Sequence, residues 1–152
     1  KLQFILNLFI YNRYYKKHNE RKIMQFSTKH NTITKENINE MVIAFYTKIL
    51  KEDGEVAQVF RDKLGDDINS DVWQEHIVIL TKFWCMIGLQ DTEYQGNPMR
   101  AHFDLPLSRE KFGSWLVMFF ETIDTLYEPQ LGIIFKSRAE NIASNFMRNL
   151  QL

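Results

Sequence analysis

Apolar residues recur at helical spacing along most of the chain, and the polar positions between them mark where each run starts and stops. Ile38, Met41, Val42, Phe45 and Ile49 fall three or four apart, which places them on one helix face. Thr34 stands where an N-cap is needed, with Glu36 in the first turn, so a helix is predicted from Thr34 through about Lys51, ended by Asp53 and Gly54. Val56 to Phe60 supports a short helical turn at most, and Arg61 to Asn69 reads as a polar loop. Ser70 caps a second long run that has Asp71 in its first turn and Gly88 as its stop. Its inward face carries Trp73, His76, Ile77, Leu80, Phe83, Trp84 and Ile87. Ser108 opens a third run on Phe112, Trp115, Leu116, Phe119, Ile123 and Leu126, and Pro129 breaks it after Tyr127. The last run extends to about Leu150 and is predicted to turn Leu131, Ile134, Phe135, Arg138, Ile142 and Phe146 inward. Strand-like alternation and internal repeats are absent from the sequence. The expected fold is therefore all-α, with four substantial helices and two short ones.

The stretch from Tyr94 to Leu107 (YQGNPMRAHFDLPL) interrupts this pattern between the second and third long runs. Gly96 and Pro98 punctuate the end of one helix, and Pro98 fits the first turn of the next, where a missing N–H costs little. Only about one helical turn fits before Asp104, Leu105 and Pro106, because the residue before a proline is pushed out of the α region. His102 is thus held on a short, doubly punctuated segment between two long helices. A neutral imidazole placed that way is a good single protein ligand for a metal or a haem iron. A half-buried histidine beside a turn satisfies the same pattern.

At 152 residues the chain is one domain's worth, long enough to bury a core and a cofactor. Its 12 Phe, 6 Tyr and 3 Trp make it rich in rings, which suit the walls around a flat apolar ligand. The single cysteine, Cys85, excludes an internal disulfide and a cysteine-based zinc cluster, and its apolar neighbours make it a buried, inert thiol. Net charge is zero but uneven. Residues 1–23 carry six basic side chains against Glu20, whereas residues 24–152 carry 13 basic against 18 acidic. The body has no basic face, which argues against a nucleic acid partner.

Residues 1–23 differ in character from the rest of the chain. Their first ten residues are apolar, interrupted by Gln3 and Asn7, and about half as long as a membrane span requires. The basic cluster comes after the apolar run instead of preceding it, unlike a signal peptide. Residues 1–23 are read as an N-terminal extension: an interfacial membrane anchor, a disordered tail, or sequence translated upstream of the start. Met24 is the expected functional start, and residues 24–152 the folded domain.

Taken singly, the remaining chemistry-bearing residues have ordinary explanations. His76, among Trp73, Leu80 and Phe83, reads as a core histidine bonded to a carbonyl; Tyr46 as a tyrosine with its hydroxyl at the surface; Trp115 as core. Together they fit one site. A ferrous haem needs one strong axial nitrogen on one face. On the other it needs an apolar chamber with hydrogen-bond donors for bound dioxygen, which carries partial negative charge. His102 suits the first role, and Tyr46, Trp115 and His76 supply donors for the second.

The sequence YQGNPMRAHFDLPLSREKFGSWLVMFFET, from Tyr94 to Thr122, resembles the proximal-histidine segment of the truncated haemoglobins, specifically their third group. The resemblance spans about residues 24 to 150. The histidine of the family's H-x-D-L-P stretch, its proximal iron ligand, falls on His102, and the distal tyrosine of its F-Y pair falls on Tyr46 after Phe45. The family's porphyrin-packing phenylalanine falls on Phe60, and the distal histidine of W-x-E-H on His76. The tryptophan of F-x-x-W-L falls on Trp115. Leu80, one turn beyond His76 on the inward face, completes the expected cofactor-binding set. The Gly-Gly pairs that groups I and II carry at helix junctions are absent, which suits group III. The extension before Met24 is not part of the family's core.

The resemblance implies a truncated-globin two-over-two helical sandwich around haem b, with His102 as the metal ligand. It implies a cytoplasmic haem protein, read as a monomer, that binds dioxygen, carbon monoxide and nitric oxide. The second reading is a redox enzyme acting on the bound ligand, by nitric oxide dioxygenation or a peroxidase-like reaction. Electrons would come from a partner reductase, since the chain carries no flavin or nicotinamide motif. A cofactor-free helical interaction domain is the third.

Overall fold

The computed structural model describes residues 29–152; the extension 1–23 and Met24 lie outside the described residues. Helix α1 spans Lys35–Lys51, α2 Glu55–Leu64, α3 Asp71–Leu89, α4 Arg109–Leu126 and α5 Pro129–Asn149, with a 3-10 helix at Arg100–His102 between α3 and α4. Among the described residues no strand occurs, only an isolated bridge between His30 and Tyr127. No helix among them is long and apolar enough to cross a membrane.

The helices pair two against two. Helix α1 packs chiefly on α3, α4 packs on α5, and α1 crosses onto α4 to join the pairs. The expected all-α, two-over-two sandwich is what forms. Phe119 sits at its centre, fully buried, stacked on Trp84 at 4.8 Å and on Trp115 at 5.2 Å, with Phe45 edge-on at 5.1 Å. Burying one such ring contributes about 1.5–3 kcal/mol, and its offset partners add to that.

The predicted caps form at the predicted residues. Thr34 accepts from the Asn37 amide while the Asn37 side chain accepts from Thr34 N–H, a reciprocal capping box closed by Asn37. Ser70 and Ser108 cap α3 and α4 in the same one-sided way. The short turn expected at Val56–Phe60 is a ten-residue helix, and half of the loop expected at Arg61–Asn69 belongs to it. Arg61 draws that extension: its guanidinium donates to the carbonyls of Leu50 and Glu52 at the end of α1, so α2 must continue far enough to deliver it. Gly65 then stops α2 at φ +84, a left-handed conformation that favours glycine.

Gly88 does not end α3. The helix runs on to Leu89, and Gln90 takes the left-handed cap. Gly88 is a packing residue instead, since a Cβ there would lie 3.0 Å from the Phe135 ring and 3.3 Å from Ile33. The inward stripe of α5 also differs from the expected one. Ile134 is 42% exposed and Arg138 faces solvent, while Gly132, Phe135, Ala139, Ala143, Phe146 and Met147 are buried. Small residues carry the contact because α5 lies close against α4: a Cβ on Gly132 would meet Ile123 at 2.9 Å. Cys85 is buried as expected, and burial pushes its thiol pKa up.

A cavity between two histidines

The sandwich leaves one large cavity of about 460 Å³ among the described residues, bounded by α1, α2, α3, the 94–107 loop, α4 and α5. Tyr46, Phe60, His76, Leu80, His102 and Trp115 all line it. Six residues spread over positions 46 to 115 therefore converge on one chamber. Its remaining wall is mainly apolar: Val56, Val59, Phe83, Leu105, Phe112 and Phe146 among others, with Lys63, Lys111, Tyr94 and Asn97 as polar members.

One wall is built on the short segment. The amide of His102 donates to the Met99 carbonyl at 3.1 Å, closing the 3-10 turn, and its ring packs on Phe146 with centroids 4.6 Å apart. Nδ1 of His102 lies 2.6 Å from the Pro98 carbonyl oxygen. A carbonyl only accepts, so Nδ1 carries the proton and Nε2 carries the lone pair. Burial lowers the His102 pKa, and the bond to Pro98 partly offsets this, so the ring is neutral at neutral pH. This is the tautomer and charge state of a ligating imidazole with its second nitrogen oriented by backbone.

The facing wall is a cluster of rings. Tyr46 is 4% exposed and packs against Phe60 at 5.2 Å, Trp73 at 5.6 Å and His76 at 6.1 Å. Burial pushes the Tyr46 phenol pKa well above its ordinary range, and the neighbouring Trp115 indole pulls partly the other way. The phenol is thus protonated, with its own hydrogen left to donate. The His76 pKa is lowered by burial and, secondly, by His102 across the chamber. Trp73 holds the wall in place: fully buried, it donates from its indole to the Gly65 carbonyl at 2.9 Å, tying the start of α3 to the end of α2.

Some of this was not readable along the chain. The Pro98–His102 bond follows an i, i+4 spacing that a one-turn helix makes natural, but the tautomer needs coordinates. Phe146 lay on the expected stripe of α5 as ordinary core, and no local signal separates a cavity wall from a core. Arg100, two residues before His102, is exposed, and its amide donates to Asn97 Oδ1 at 3.1 Å.

The fold and cavity define a class, a small helical globin with an imidazole on one wall and phenol and indole donors on the other. Sequence comparison finds a curated relative, group 3 truncated hemoglobin ctb of Campylobacter jejuni, 32% identical over 123 residues, covering 80% of this chain and 94% of the relative. A solved structure of group III truncated hemoglobin from Campylobacter jejuni superposes with a TM-score of 0.73 at 32% identity, covering 81% of this chain and 95% of that one. No protein-family model matches. The chain belongs to the group III truncated haemoglobins.

Proposed function

We propose that the cavity holds haem b, with Nε2 of His102 as its axial protein ligand, and that dioxygen, carbon monoxide or nitric oxide binds on the opposite face. The observation that carries this reading is the His102–Pro98 bond, which leaves Nε2 as a neutral, lone-pair-bearing nitrogen beside an apolar chamber. The wall residues fit a flat, mainly apolar group: Phe60, Leu80, Phe83 and Phe112 offer ring and aliphatic surface on several sides. When bound, the haem supplies an open iron coordination position; all else is the work of the chain. His102 holds and orients. Leu80, Phe60 and Phe83 exclude water. Tyr46 would donate a hydrogen bond to a ligand that gains negative charge, with the Trp115 indole as a second donor on the same wall.

The test is the visible spectrum of the purified ferrous protein with and without carbon monoxide. A Soret band that shifts on adding the gas is expected, and a protein without one is not a haem protein. His102→Gly is expected to lose stable haem or to hold it loosely until imidazole is supplied. Full haem retention with an unchanged ferrous spectrum in that variant removes His102 from the iron.

Tyr46, Trp115 and His76 give one chamber three candidate donors, which would favour ligand retention, and retention suits chemistry on the ligand better than transport. The second reading is therefore nitric oxide dioxygenation, or a peroxidase-like turnover, with electrons from an external reductase. Stoichiometric nitrate from the dioxygen-bound protein and nitric oxide is its expected signature.

A further inference from the structure

Two residues outside the proposed ligand set connect the two walls of the cavity. Tyr94 is half-buried on the cavity wall, with its ring edge-on to Phe83 of α3, centroids 5.2 Å apart at 73°. The chain then folds back so that the Tyr94 ring lies against Gly96. A Cβ on Gly96 would meet the Tyr94 phenol oxygen first, and would come within 2.6 Å of Cζ and 2.9 Å of Cε2. Contacts that short force a shift, so this ring position depends on glycine at 96, and a Cβ there would displace the end of the Tyr94 ring. The requirement is purely one of contact, because positive φ among the described glycines occurs only at Gly65.

From Gly96 the chain runs directly into the residues that orient the imidazole. Asn97 caps the Arg100 amide through Oδ1, and the Pro98 carbonyl receives Nδ1 of His102. We infer that Tyr94 and Gly96 form a steric latch that positions the His102 segment against α3, setting the orientation of the imidazole and hence the bond it makes to the iron. Tyr94 and Gly96 are positioning residues, acting through Pro98 and His102. The Tyr94 ring, seated edge-on against Phe83, carries the latch, and its phenol end is the part nearest Gly96. The inference rests on haem occupying the cavity as proposed.

The experiment is a mutant cycle on the holoprotein: Gly96→Ala, Tyr94→Ala, their combination, and Tyr94→Phe. The readouts are the iron–histidine stretching band of the ferrous protein in resonance Raman and the rate of haem release to an acceptor. Gly96→Ala is expected to shift or split the band and to speed haem release about tenfold, the scale of an overpacked contact. In the Tyr94→Ala background the same substitution should change either readout less than twofold, because its clashing partner is gone. Tyr94→Phe should leave the band in place. An unchanged band in Gly96→Ala, or an effect that persists undiminished beside Tyr94→Ala, overturns the latch. The parent spectrum separately decides the haem reading. Should Gly96→Ala bind no haem, ¹⁵N NMR of the His102 ring in the protein as purified takes over as readout. A parent-like Nδ1–H signal there overturns the latch, and its loss, restored beside Tyr94→Ala, supports it.

Discussion

Removing the Tyr46 hydroxyl is the sharpest perturbation of the proposed ligand face. The phenol is 4% exposed and held protonated by burial, and Trp115 lines the same cavity. A hydrogen bond to a charged group contributes about 1.5–3 kcal/mol, which corresponds to about a tenfold to 150-fold change in release rate. Tyr46→Phe should fall near the lower end, about tenfold faster dioxygen release, because the Trp115 indole N–H on the same cavity wall takes over part of the donation. Trp115 can do this only within narrow limits. Its ring is stacked on Phe119 with an interplanar angle of 7° and meets Phe45 edge-on at 5.3 Å. Trp115→Phe leaves the phenol donor in place, so a smaller, few-fold increase is expected. The double variant loses both donors, with only His76 left to compensate, and should exceed the product of the two single effects. Stopped-flow displacement of dioxygen by excess carbon monoxide measures all four rates. A Tyr46→Phe rate within twofold of the parent would refute the placement of the phenol on the ligand, and a double variant equal to the product would refute the coupling.

Three further outcomes are expected. Tyr127 donates to Asn37 Oδ1 at 2.8 Å inside the core, so Tyr127→Phe should cost about 1 kcal/mol in denaturant unfolding, and an unmoved midpoint would deny that bond any net value. Gly132→Val places a branched side chain where a Cβ alone meets Ile123 at 2.9 Å, and thermal unfolding should show a loss of about 1–3 kcal/mol. The pKa values of His76 and His102 are depressed below the ordinary 6.5 in the folded chain, so their contribution to stability is present above that value and is lost as pH falls through it. Unfolding between about pH 5 and 8 should show this loss, and His76→Leu should flatten part of it.

The caps and long helices were legible because they rest on local signals: Thr34, Ser70 and Ser108 each stand just before an apolar run of period 3.6, and each caps the helix beyond it. Where reading failed, the deciding interaction lay far along the chain. Helix α2 is extended by a guanidinium reaching back to α1, and α5 turns on Gly132 and Ala139 because α4 comes close. Gly88 has the composition of a stop, yet its role is set by Phe135, 47 residues away. The candidate site was legible as residue types, since histidine, tyrosine and tryptophan on inward faces are few. Its organisation was not: the tautomer of His102 and the Tyr94 ring against Gly96 are facts of distance.

The cavity also divides the apolar interior. The larger cluster, around Phe45, Trp73, Trp84 and Phe119, lies apart from a smaller one formed by Phe112, Ala143, Phe146 and Met147, and Leu116 and Ile142 pack against both. The smaller cluster holds the end of α5 together with Met99 and Leu107, on the loop that carries His102. A cluster of that size has few neighbours of its own, so whatever occupies the chamber supplies much of its remaining contact. The two parts should behave as separate cooperative units whose coupling depends on occupancy. Amide exchange in the last turns of α5 and in residues 99–107 should slow markedly when the chamber is filled, while the central turns of α1 and α3 exchange at the global rate in either state. Occupancy would then be written into the lifetime of the C-terminal helix, and a protease that samples that end of the chain would distinguish the loaded protein from the empty one.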